Sequence, residues 1–248
     1  MVNLRAHLRR YYRRLRGKPE ISGQHQLLQD EGGTVAQTLR DAWKDPRLPG
    51  AQREIAGEEL TRLRRGQSVR VFEVLADAIR EANCERERML EIGCASGYYA
   101  EALEILLGHS VHYVGCDYSI AMITRAQEYY PQHKFIVGDA TALPFRNAAC
   151  ELLISGCVML HVPEYERVIE ESARVSRHWV VFHRTPVCSG STRRYTKLAY
   201  GVRCMEIWFG EIELQAMLAR AGLIVHREWL IGESDECRSK TILCRKQT

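Results

Sequence analysis

The segment MLEIGCASGYY, residues 89–99, decides the fold class of this 248-residue chain. Its first four residues, Met89–Ile92, are largely apolar and predict a short buried strand. A helix with one apolar face follows and ends at Gly108. Between strand and helix, Gly93 and Gly97 permit positive φ and leave backbone N–H groups of the turn open to a ligand. The segment therefore predicts a strand–turn–helix unit that binds a small ligand at its turn.

Short apolar strands alternate with helices from this unit to the end of the sequence. The predicted strands are Met89–Ile92, Val111–Cys116, Lys134–Val137, Glu151–Ser155, Trp179–His183, Leu223–Leu230 and Lys240–Cys244. The predicted helices lie near residues 97–107, 119–129, 164–176 and 211–221. This alternation predicts an α/β domain over residues 86–248, with a doubly wound, mostly parallel sheet of seven strands. Ligands of such sheets bind at the carboxyl ends of the strands.

Residues 1–85 predict a helical N-terminal extension in front of this domain. Residues 19–50 have a loop-like composition apart from a short helix across Thr34–Trp43, and two further helices follow. Residues 1–18 form a basic arm with seven Lys and Arg residues and no acid. The apolar residues of the arm recur at helical spacing. Such a helix would dock on its own domain or a second subunit, or lie on anionic lipid or RNA.

The charge outside the basic arm argues against a broad nucleic-acid surface. The net charge is +4, but residues 19–248 carry 28 basic and 31 acidic side chains, a balance of −3. No apolar run approaches the roughly 18 residues of a membrane helix, and no apolar segment after Arg5 could serve as a secretion signal. Nine cysteines without a CxxC pair indicate buried thiols and no metal site. We expect a cytoplasmic protein whose only membrane contact would be peripheral, through the arm.

Polar residues and a further glycine follow the next three predicted strands. A dinucleotide fingerprint would need glycine where this chain has Ala95 and Tyr98, which disfavours a hydride-transfer enzyme. Asp117 ends the second strand, twenty residues after the Gly-rich turn, and its carboxylate can accept hydrogen bonds from both hydroxyls of a ribose. Asp139 follows the third strand and could take an adenine amino group, and Gly156 follows the fourth. The four strand ends together predict one nucleoside-binding site.

This combination resembles the class I S-adenosylmethionine-dependent methyltransferases, especially the small-molecule group that includes the ubiquinone and menaquinone biosynthesis enzymes. The resemblance covers roughly residues 86–248 and implies a Rossmann-like methyltransferase fold with S-adenosyl-L-methionine as cofactor. It departs from the family at Ala95, where a glycine is frequent, and at residues 177–179, where Pro-Gly-Gly is frequent. The resemblance implies these cofactor-binding residues: Glu91, Gly93, Cys94, Ala95, Ser96, Gly97, Asp117, Tyr118, Met122, Asp139, Ala140 and Gly156.

The expected reaction is methyl transfer to a small-molecule acceptor by in-line displacement at the sulfonium methyl group. If the acceptor is a hydroxyl, His161 and His183 are the candidate bases, because each follows a strand at its carboxyl end. Either histidine could instead shape the pocket without moving a proton. The acceptor is expected under residues 188–210, and the candidate acceptor-binding residues are Tyr98, Arg184, Tyr195 and Tyr200. An RNA or protein methyltransferase and a non-catalytic cofactor-binding protein remain as alternatives.

Overall fold

A computed structural model describes residues 23–28, 34–234 and 236–247 of the chain. The basic arm of residues 1–18 lies outside the described residues. The strands in the described ranges are β1 (Gly23–Leu27), β2 (Met89–Ile92), β3 (Tyr113–Asp117), β4 (Lys134–Val137), β5 (Cys150–Gly156), β6 (Ser176–Cys188), β7 (Arg193–Ala199), β8 (Val202–Gly210), β9 (Leu223–Glu233) and β10 (Arg238–Lys246). The helices are α1 (Thr34–Asp41), α2 (Leu48–Arg64), α3 (Arg70–Glu81), α4 (Tyr98–Leu107), α5 (Ile120–Tyr129), α6 (Tyr165–Val175) and α7 (Glu211–Arg220).

Five parallel strands form the centre of the sheet in the order β4-β3-β2-β5-β6. On the far side of β6, β10 pairs antiparallel with β6, and β9 pairs antiparallel with β10. The strand order reverses between β2 and β5, which is the point where doubly wound sheets open a ligand crevice. These seven strands are the seven that the sequence predicts, and the predicted fold class is confirmed.

The central strands are covered by helices on both faces, because successive side chains of a strand point to opposite faces. In β5, Leu152 and Ile154 join one apolar core, and Leu153 between them joins the other. Helices α3 and α4 contribute residues to the first core, whereas α6 and α7 contribute to the second. The near-continuous apolar runs in the sequence therefore reflect burial on both faces. No helix in the described ranges is long and apolar enough to cross a membrane.

Three strands were absent from the sequence-based prediction. Residues 23–27 were expected to be loop but form β1, and residues 193–210 form the hairpin β7-β8. The hairpin turns at Tyr200 and Gly201, whose φ angles of 51° and 84° suit a two-residue turn. The small sheet β1-β7-β8 joins the main sheet only where Val187 and Cys188 of β6 pair with β8. It therefore lies at the carboxyl end of β6, close to the crevice.

The predicted N-terminal extension packs as part of the helical layers. Leu60 of α2 and Phe72 of α3 belong to the same apolar core as the strand residues Leu152 and Ile154. The predicted helix across residues 34–43 appears as α1 followed by a 3₁₀ turn at Ala42–Lys44. This turn and α2 bring polar side chains to the open end of the sheet. A domain boundary after residue 85 stays a prediction.

Candidate cofactor and acceptor site

One cavity opens at the carboxyl ends of the parallel strands. Its empty volume is about 1070 Å³, part of which is open to solvent. The strand ends form its floor, and side chains from α1, the 3₁₀ turn at Ala42–Lys44, α2 and the hairpin β7-β8 complete its lining. The lining residues are Arg40, Trp43, Gln52, Glu91, Ile92, Gly93, Cys94, Ala95, Tyr98, Cys116, Asp117, Tyr118, Met122, Gly138, Ala140, Gly156, Cys157, Val158, His161, Val162, Arg184, Lys197, Ala199 and Tyr200.

The Gly-rich turn between β2 and α4 can be built only with small residues. Gly93 has a φ of +66°, and a Cβ on it would lie 2.5 Å from the Cβ of Val158. Gly97 has a φ of +75°, and a Cβ there would lie 2.7 Å from the ring of Phe135. Because left-handed backbone and close packing coincide at both positions, glycine is required twice. The turn thereby presents its backbone to the cavity instead of side chains.

Asp117, at the end of β3, is fixed against this turn. Its Oδ2 accepts a hydrogen bond from the backbone N–H of Ala95 at 2.9 Å, and its Oδ1 accepts one from Ser119 at 2.9 Å. The side chain is only 8% exposed, and burial raises its pKa to about 6 against the opposing effect of the backbone N–H groups. Each carboxylate oxygen keeps a further lone pair. Asp117 can therefore accept hydrogen bonds from a diol at the cavity floor.

Glu91 is a second buried acid beside the turn. The hydroxyl of Tyr113 donates to its Oε2, and burial raises its pKa to about 8. Its Oε1 lies so close to Gly156 that a Cβ on that glycine would overlap it. A cation placed beside Glu91 would favour the ionised form of the carboxyl group. The acids Glu91 and Asp117 thus make this side of the cavity suited to a positively charged ligand.

Three of the twelve predicted cofactor-binding residues lie outside the cavity lining. Ser96 donates to Gln52 Oε1 through its hydroxyl at 3.2 Å, and Gly97 lies behind the turn against Phe135. The two oxygens of Asp139 each accept from Arg40 Nη2 at 2.6 Å. Burial by itself would raise the pKa of Asp139. Hydrogen bonds from Thr141 and Arg40 outweigh this effect, and the pKa of Asp139 lies below its usual value. These three residues support the site from its periphery.

His161 lies in the cavity wall opposite the acids. Its Nδ1 lies 2.6 Å from the backbone carbonyl oxygen of Met205. Because a carbonyl oxygen can only accept, Nδ1 is the donor, and the neutral ring therefore carries no proton at Nε2. Burial, with a smaller effect from Lys197, lowers the pKa of His161 to about 3. The ring packs on the indole of Trp43 with centroids 4.5 Å apart. At neutral pH His161 is therefore an uncharged hydrogen-bond acceptor.

The predicted position of His183 in the cavity wall is wrong. The side chain is 1% exposed, does not line the cavity, and makes a 2.8 Å hydrogen bond between Nδ1 and the hydroxyl of Thr241. Burial, with the nearby Arg184, lowers its pKa well below the usual value. The physical reason is a β-bulge, because His183 and Arg184 of β6 both stand opposite Thr241 of β10. The bulge turns His183 into the protein and Arg184 to the cavity.

The predicted acceptor-binding residues divide in the same way. Tyr98, Arg184 and Tyr200 line the cavity, whereas Tyr195 does not. Tyr195 packs instead on Trp208, with ring centroids 4.5 Å apart, inside the small sheet β1-β7-β8. Its predicted place in the acceptor pocket is therefore also wrong. Tyr195 shares a face of β7 with Lys197 and Ala199, which line the cavity, but it is the furthest of the three from the hairpin turn.

Several cavity residues escaped sequence-based prediction because their positions depend on contacts between distant segments. Arg40 reaches the site from α1, Trp43 from the 3₁₀ turn and Gln52 from α2. Lys197 of β7 is buried and forms an ion pair with Glu206 of β8. The strongest sequence signal for the hairpin that carries Lys197 was Tyr200-Gly201, which marks a turn between two runs of alternating apolar and polar residues.

Cavity-lining residues also account for much of the unusual backbone geometry. Positive φ angles occur at Ala95 (48°), Cys157 (65°), Arg184 (60°) and Tyr200 (51°), all of which line the cavity. Left-handed backbone costs a residue with a side chain about 1–2 kcal/mol. Such strain tends to concentrate at functional sites, where the surrounding structure maintains it.

A family model described as "Methyltransferase domain" matches residues 90–180. Over residues 90–180 the chain therefore matches a methyltransferase domain. The cofactor of this type of domain is S-adenosyl-L-methionine. The residues present fit it, because the turn at Gly93 lines the cavity without a side chain, Asp117 can accept from the ribose diol, and the buried acids suit a sulfonium cation.

Curated relatives align with the chain over part of its length. The demethylmenaquinone methyltransferase of Bacillus licheniformis is 33% identical over 89 residues, which are 35% of this chain and 38% of that protein. The phthiotriol/phenolphthiotriol dimycocerosates methyltransferase of Mycobacterium leprae is 32% identical over 99 residues, 39% of this chain and 36% of that protein. The chain thus matches less than two fifths of these relatives' lengths.

A solved structure extends the likeness of the methyltransferase domain to most of the chain. Magnesium protoporphyrin IX methyltransferase from Synechocystis PCC 6803, crystallised with bound cofactor, superposes with a TM-score of 0.56. The superposition covers 88% of this chain and 100% of that chain, at 13% sequence identity. At this identity the match shows the fold.

Proposed function

We propose that this protein transfers the methyl group of S-adenosyl-L-methionine to a small-molecule acceptor. The observation that carries the proposal is a single cavity with two chemically different walls. The wall formed by the turn at Gly93 and by Asp117 suits the cofactor, and the wall formed by His161, Arg184 and Tyr200 suits an acceptor. Both walls face the same empty volume, so a donor and an acceptor can meet there.

The protein's part in the reaction is to bind the two reactants, to orient them toward each other and to exclude water from the cavity. Bound cofactor supplies an electrophilic methyl group on a sulfonium sulfur, where the sulfur–carbon bond breaks as the acceptor–carbon bond forms. Asp117 would hold the ribose, Tyr118, Met122 and Ala140 would enclose the adenine, and Asp139 would support that end through Arg40. Gln52 ties the N-terminal helix α2 to the turn at Ser96, which helps to close the cavity over the cofactor.

His161 would orient the acceptor. Its unprotonated Nε2 can accept a hydrogen bond from the acceptor's O–H or N–H group, since Nδ1 is already used on Met205. A pKa of about 3 makes this nitrogen a weak base, because proton transfer is most effective when the pKa is near the working pH. The role that we propose is therefore positioning, and the acceptor's proton leaves to water after the methyl group has moved.

A small-molecule acceptor is supported by the enclosure of the site and by the relatives. The hairpin residues Lys197, Ala199 and Tyr200 line the cavity across from the strand ends, which limits the space for a macromolecule. The relatives from Bacillus licheniformis and Mycobacterium leprae are named for lipid-like small acceptors. An RNA or protein acceptor, a partner bound through the basic arm, and a cytoplasmic location remain separate predictions from the sequence.

Calorimetry with S-adenosylhomocysteine tests the cofactor half of the proposal. Asp117→Ala should weaken binding by about 1–3 kcal/mol, because charge-assisted hydrogen bonds to the ribose are lost. Asp77→Ala is the matched control, since Asp77 is a half-exposed acid that pairs with Arg80 on α3. Unchanged affinity in a folded Asp117→Ala variant would remove Asp117 from the ribose site. No affinity in the parent protein would refute the assignment as a whole.

Formation of S-adenosylhomocysteine from S-adenosylmethionine tests the catalytic half of the proposal, because this product remains when the methyl group has been transferred. The parent protein should form it in the presence of a small acceptor, and should form none with RNA or protein substrates alone. Cofactor binding without any acceptor-dependent product would instead support the non-catalytic alternative.

A further inference from the structure

The cavity wall carries three permanently cationic side chains, and they differ in how their charge is balanced. Arg40 pairs with Asp139 and Glu164, and Lys197 pairs with Glu206. Arg184 forms no ion pair with any carboxylate in the described parts of the chain. Charged groups in a low-dielectric environment are normally paired, because desolvation is costly. Arg184 is therefore the cation of this wall whose charge a ligand could balance.

The backbone around Arg184 is built to point it at the cavity. Thr185 pairs with Lys240 and Phe182 with Ile242, so the two β6 residues between them stand opposite Thr241 alone. This bulge is where Arg184 adopts its φ of 60°. Bulges beside active sites re-aim side chains, and left-handed backbone costs about 1–2 kcal/mol in a residue other than glycine. The protein bears this cost without gaining an internal ion pair at Arg184.

The surroundings of Arg184 are aromatic and neutral. Tyr98, Tyr200 and the thiol of Cys157 line the cavity with it. Cys157, together with Tyr99, Tyr98 and Tyr200, raises the pKa of Arg184 against the opposing effect of burial, so the guanidinium stays charged. Trp43 and His161 add two rings to the same wall, tilted by 43° to each other, and Tyr200 lies edge-on to Trp43 at 6.2 Å. Flat aromatic faces next to a forked cation suit a planar ligand with an anionic group.

The sheet order separates Arg184 from the proposed nucleoside site. Strand β6 is two strands away from β2, which carries the Gly-rich turn, and three strands away from β3, which carries Asp117. At about 4.8 Å per strand these separations are roughly 10 and 15 Å. The backbone of Arg184 is therefore displaced from the nucleoside site, and its side chain lies near Tyr98 and Tyr99, which begin α4 directly after the Gly-rich turn.

We infer that Arg184 binds the oxyanion of the methyl acceptor, which is a small planar molecule with a carboxylate or phosphate group. The inference rests on the proposed function for the identity of the acceptor. A guanidinium can hold either oxyanion through two parallel hydrogen bonds. The anionic group would thereby fix which atom of the acceptor points toward the cofactor.

Small aromatic probes test this inference on the full chain saturated with S-adenosylhomocysteine. Benzoate and phenyl phosphate carry the two oxyanions, and benzamide is the neutral isostere of benzoate. We expect at least one of the two anions to bind about tenfold or more tighter than benzamide, as charge-assisted bonds provide. Arg184→Gln should abolish this preference, and Arg184→Lys should retain part of it. Arg167→Gln, an exposed arginine that pairs with Glu170, should leave it unchanged.

A second arm distinguishes an acceptor oxyanion from the carboxylate of the cofactor itself. S-adenosylhomocysteine contains that carboxylate, and 5′-methylthioadenosine lacks it. In Arg184→Gln both nucleosides should keep their parental affinities, which also shows that the variant is folded. Loss of S-adenosylhomocysteine affinity alone would mean that Arg184 holds the cofactor carboxylate, and would overturn the inference.

Two further outcomes would also overturn it. One is equal or undetectable binding of the anions and benzamide to the parent, and the other is an anion preference that persists in Arg184→Gln. In both cases intact S-adenosylhomocysteine binding would leave the proposed cofactor site standing. No S-adenosylhomocysteine binding by the parent would refute the proposed function first, and the inference with it.

Discussion

The two walls of the cavity differ in charge and in how the chain builds them. The cofactor wall includes the short turns that directly follow β2 and β3, and its buried acids are Glu91 and Asp117. The acceptor wall is assembled from a bulge in β6, the hairpin β7-β8 and the 3₁₀ turns at Ala42–Lys44 and Met159–His161, and its basic groups are His161, Arg184 and Lys197. The same cavity is thus acidic on one side and basic on the other.

Burial acts in opposite directions on the two walls, because it always disfavours the charged form. It raises the pKa of Glu91 to about 8 and lowers that of His161 to about 3, so both groups are mainly neutral near pH 7. A cationic cofactor would draw Glu91 toward its ionised form, whereas nothing charged is needed to keep His161 neutral. The protonation state of Glu91 is therefore expected to change when a cationic ligand binds, whereas that of His161 should not.

The largest expected effect comes from breaking the cofactor wall at Gly93. Gly93→Val should lower the free energy of unfolding by about 2–5 kcal/mol, because left-handed strain adds to overlap with Val158. Chemical denaturation measures this, and cofactor affinity should fall with it. Gly57→Ala is the control, since nothing lies within 4 Å of its Cβ position and α2 should gain about 0.5–1 kcal/mol. Equal stability of the Gly93 variant and the parent would contradict the turn geometry.

The acceptor wall should be broken next by His161→Ala. We expect turnover to fall about 10²-fold with S-adenosylhomocysteine affinity nearly unchanged, because a misplaced acceptor reacts slowly. His161→Gln keeps a hydrogen-bond acceptor and should recover part of the rate. With a pKa of about 3, His161 should leave the parental rate flat between about pH 5 and 8. A rate that rises through about pH 6.5 and flattens in His161→Ala would make His161 a general base instead.

A pH series sharpens the contrast between acidic and basic walls. The folded-state pKa of Glu91, about 8, lies above its ordinary value of 4.5, so the folded protein holds an extra proton between these values. The contribution of Glu91 to the free energy of unfolding is therefore fully present below about pH 4.5 and is lost as pH rises toward 8. Denaturation at about pH 6 and 8 should show a loss about 1–3 kcal/mol larger in the parent than in Glu91→Gln. Parallel pH profiles would refute this protonation state.

The contribution of His161 to the free energy of unfolding should change with pH in the opposite direction. Its folded-state pKa lies below its ordinary value of 6.5, so the unfolded chain binds the extra proton at acidic pH. Its contribution should be complete above about pH 6.5 and should decline as pH falls toward 3. Comparison of the parent with His161→Gln between about pH 4 and 7 measures this decline.

The smallest expected effect concerns the ion pair that ties α1 to the adenine end of the cofactor wall. A double-mutant cycle of Arg40→Gln and Asp139→Asn should give a coupling of about 0.5–1.5 kcal/mol, discounted because the Asp139 side chain is 41% exposed. The exposed pair Arg125 and Glu128 on α5 is the control and should couple more weakly. Additive effects at Arg40 and Asp139 would show that the pair does not hold α1 in place.

The sequence by itself determined the seven main strands and the helices between them, and it predicted most of the residues that line the proposed cofactor wall. It could do so because these features depend on short-range rules. The periodicity of apolar residues along the sequence indicates each strand and helix. The local backbone requires glycine at Gly93 and Gly97, and Asp117 stands at the end of its strand. Nine of the twelve residues predicted for the cofactor line the cavity, all of them at or just after the end of a strand.

Only the tertiary structure decided the acceptor wall, because its geometry depends on pairing between distant segments. The polar strand β1 has no apolar pattern and exists only by pairing with β7. His161 of this wall meets Met205 across 44 residues of sequence, and at the edge of the cofactor wall Arg40 likewise meets Asp139 across 99. Strand alternation alone gives no reason to prefer Arg184 to His183 for the cavity. One unmatched residue in the pairing of β6 with β10 makes that choice, and such a bulge is set by both strands together.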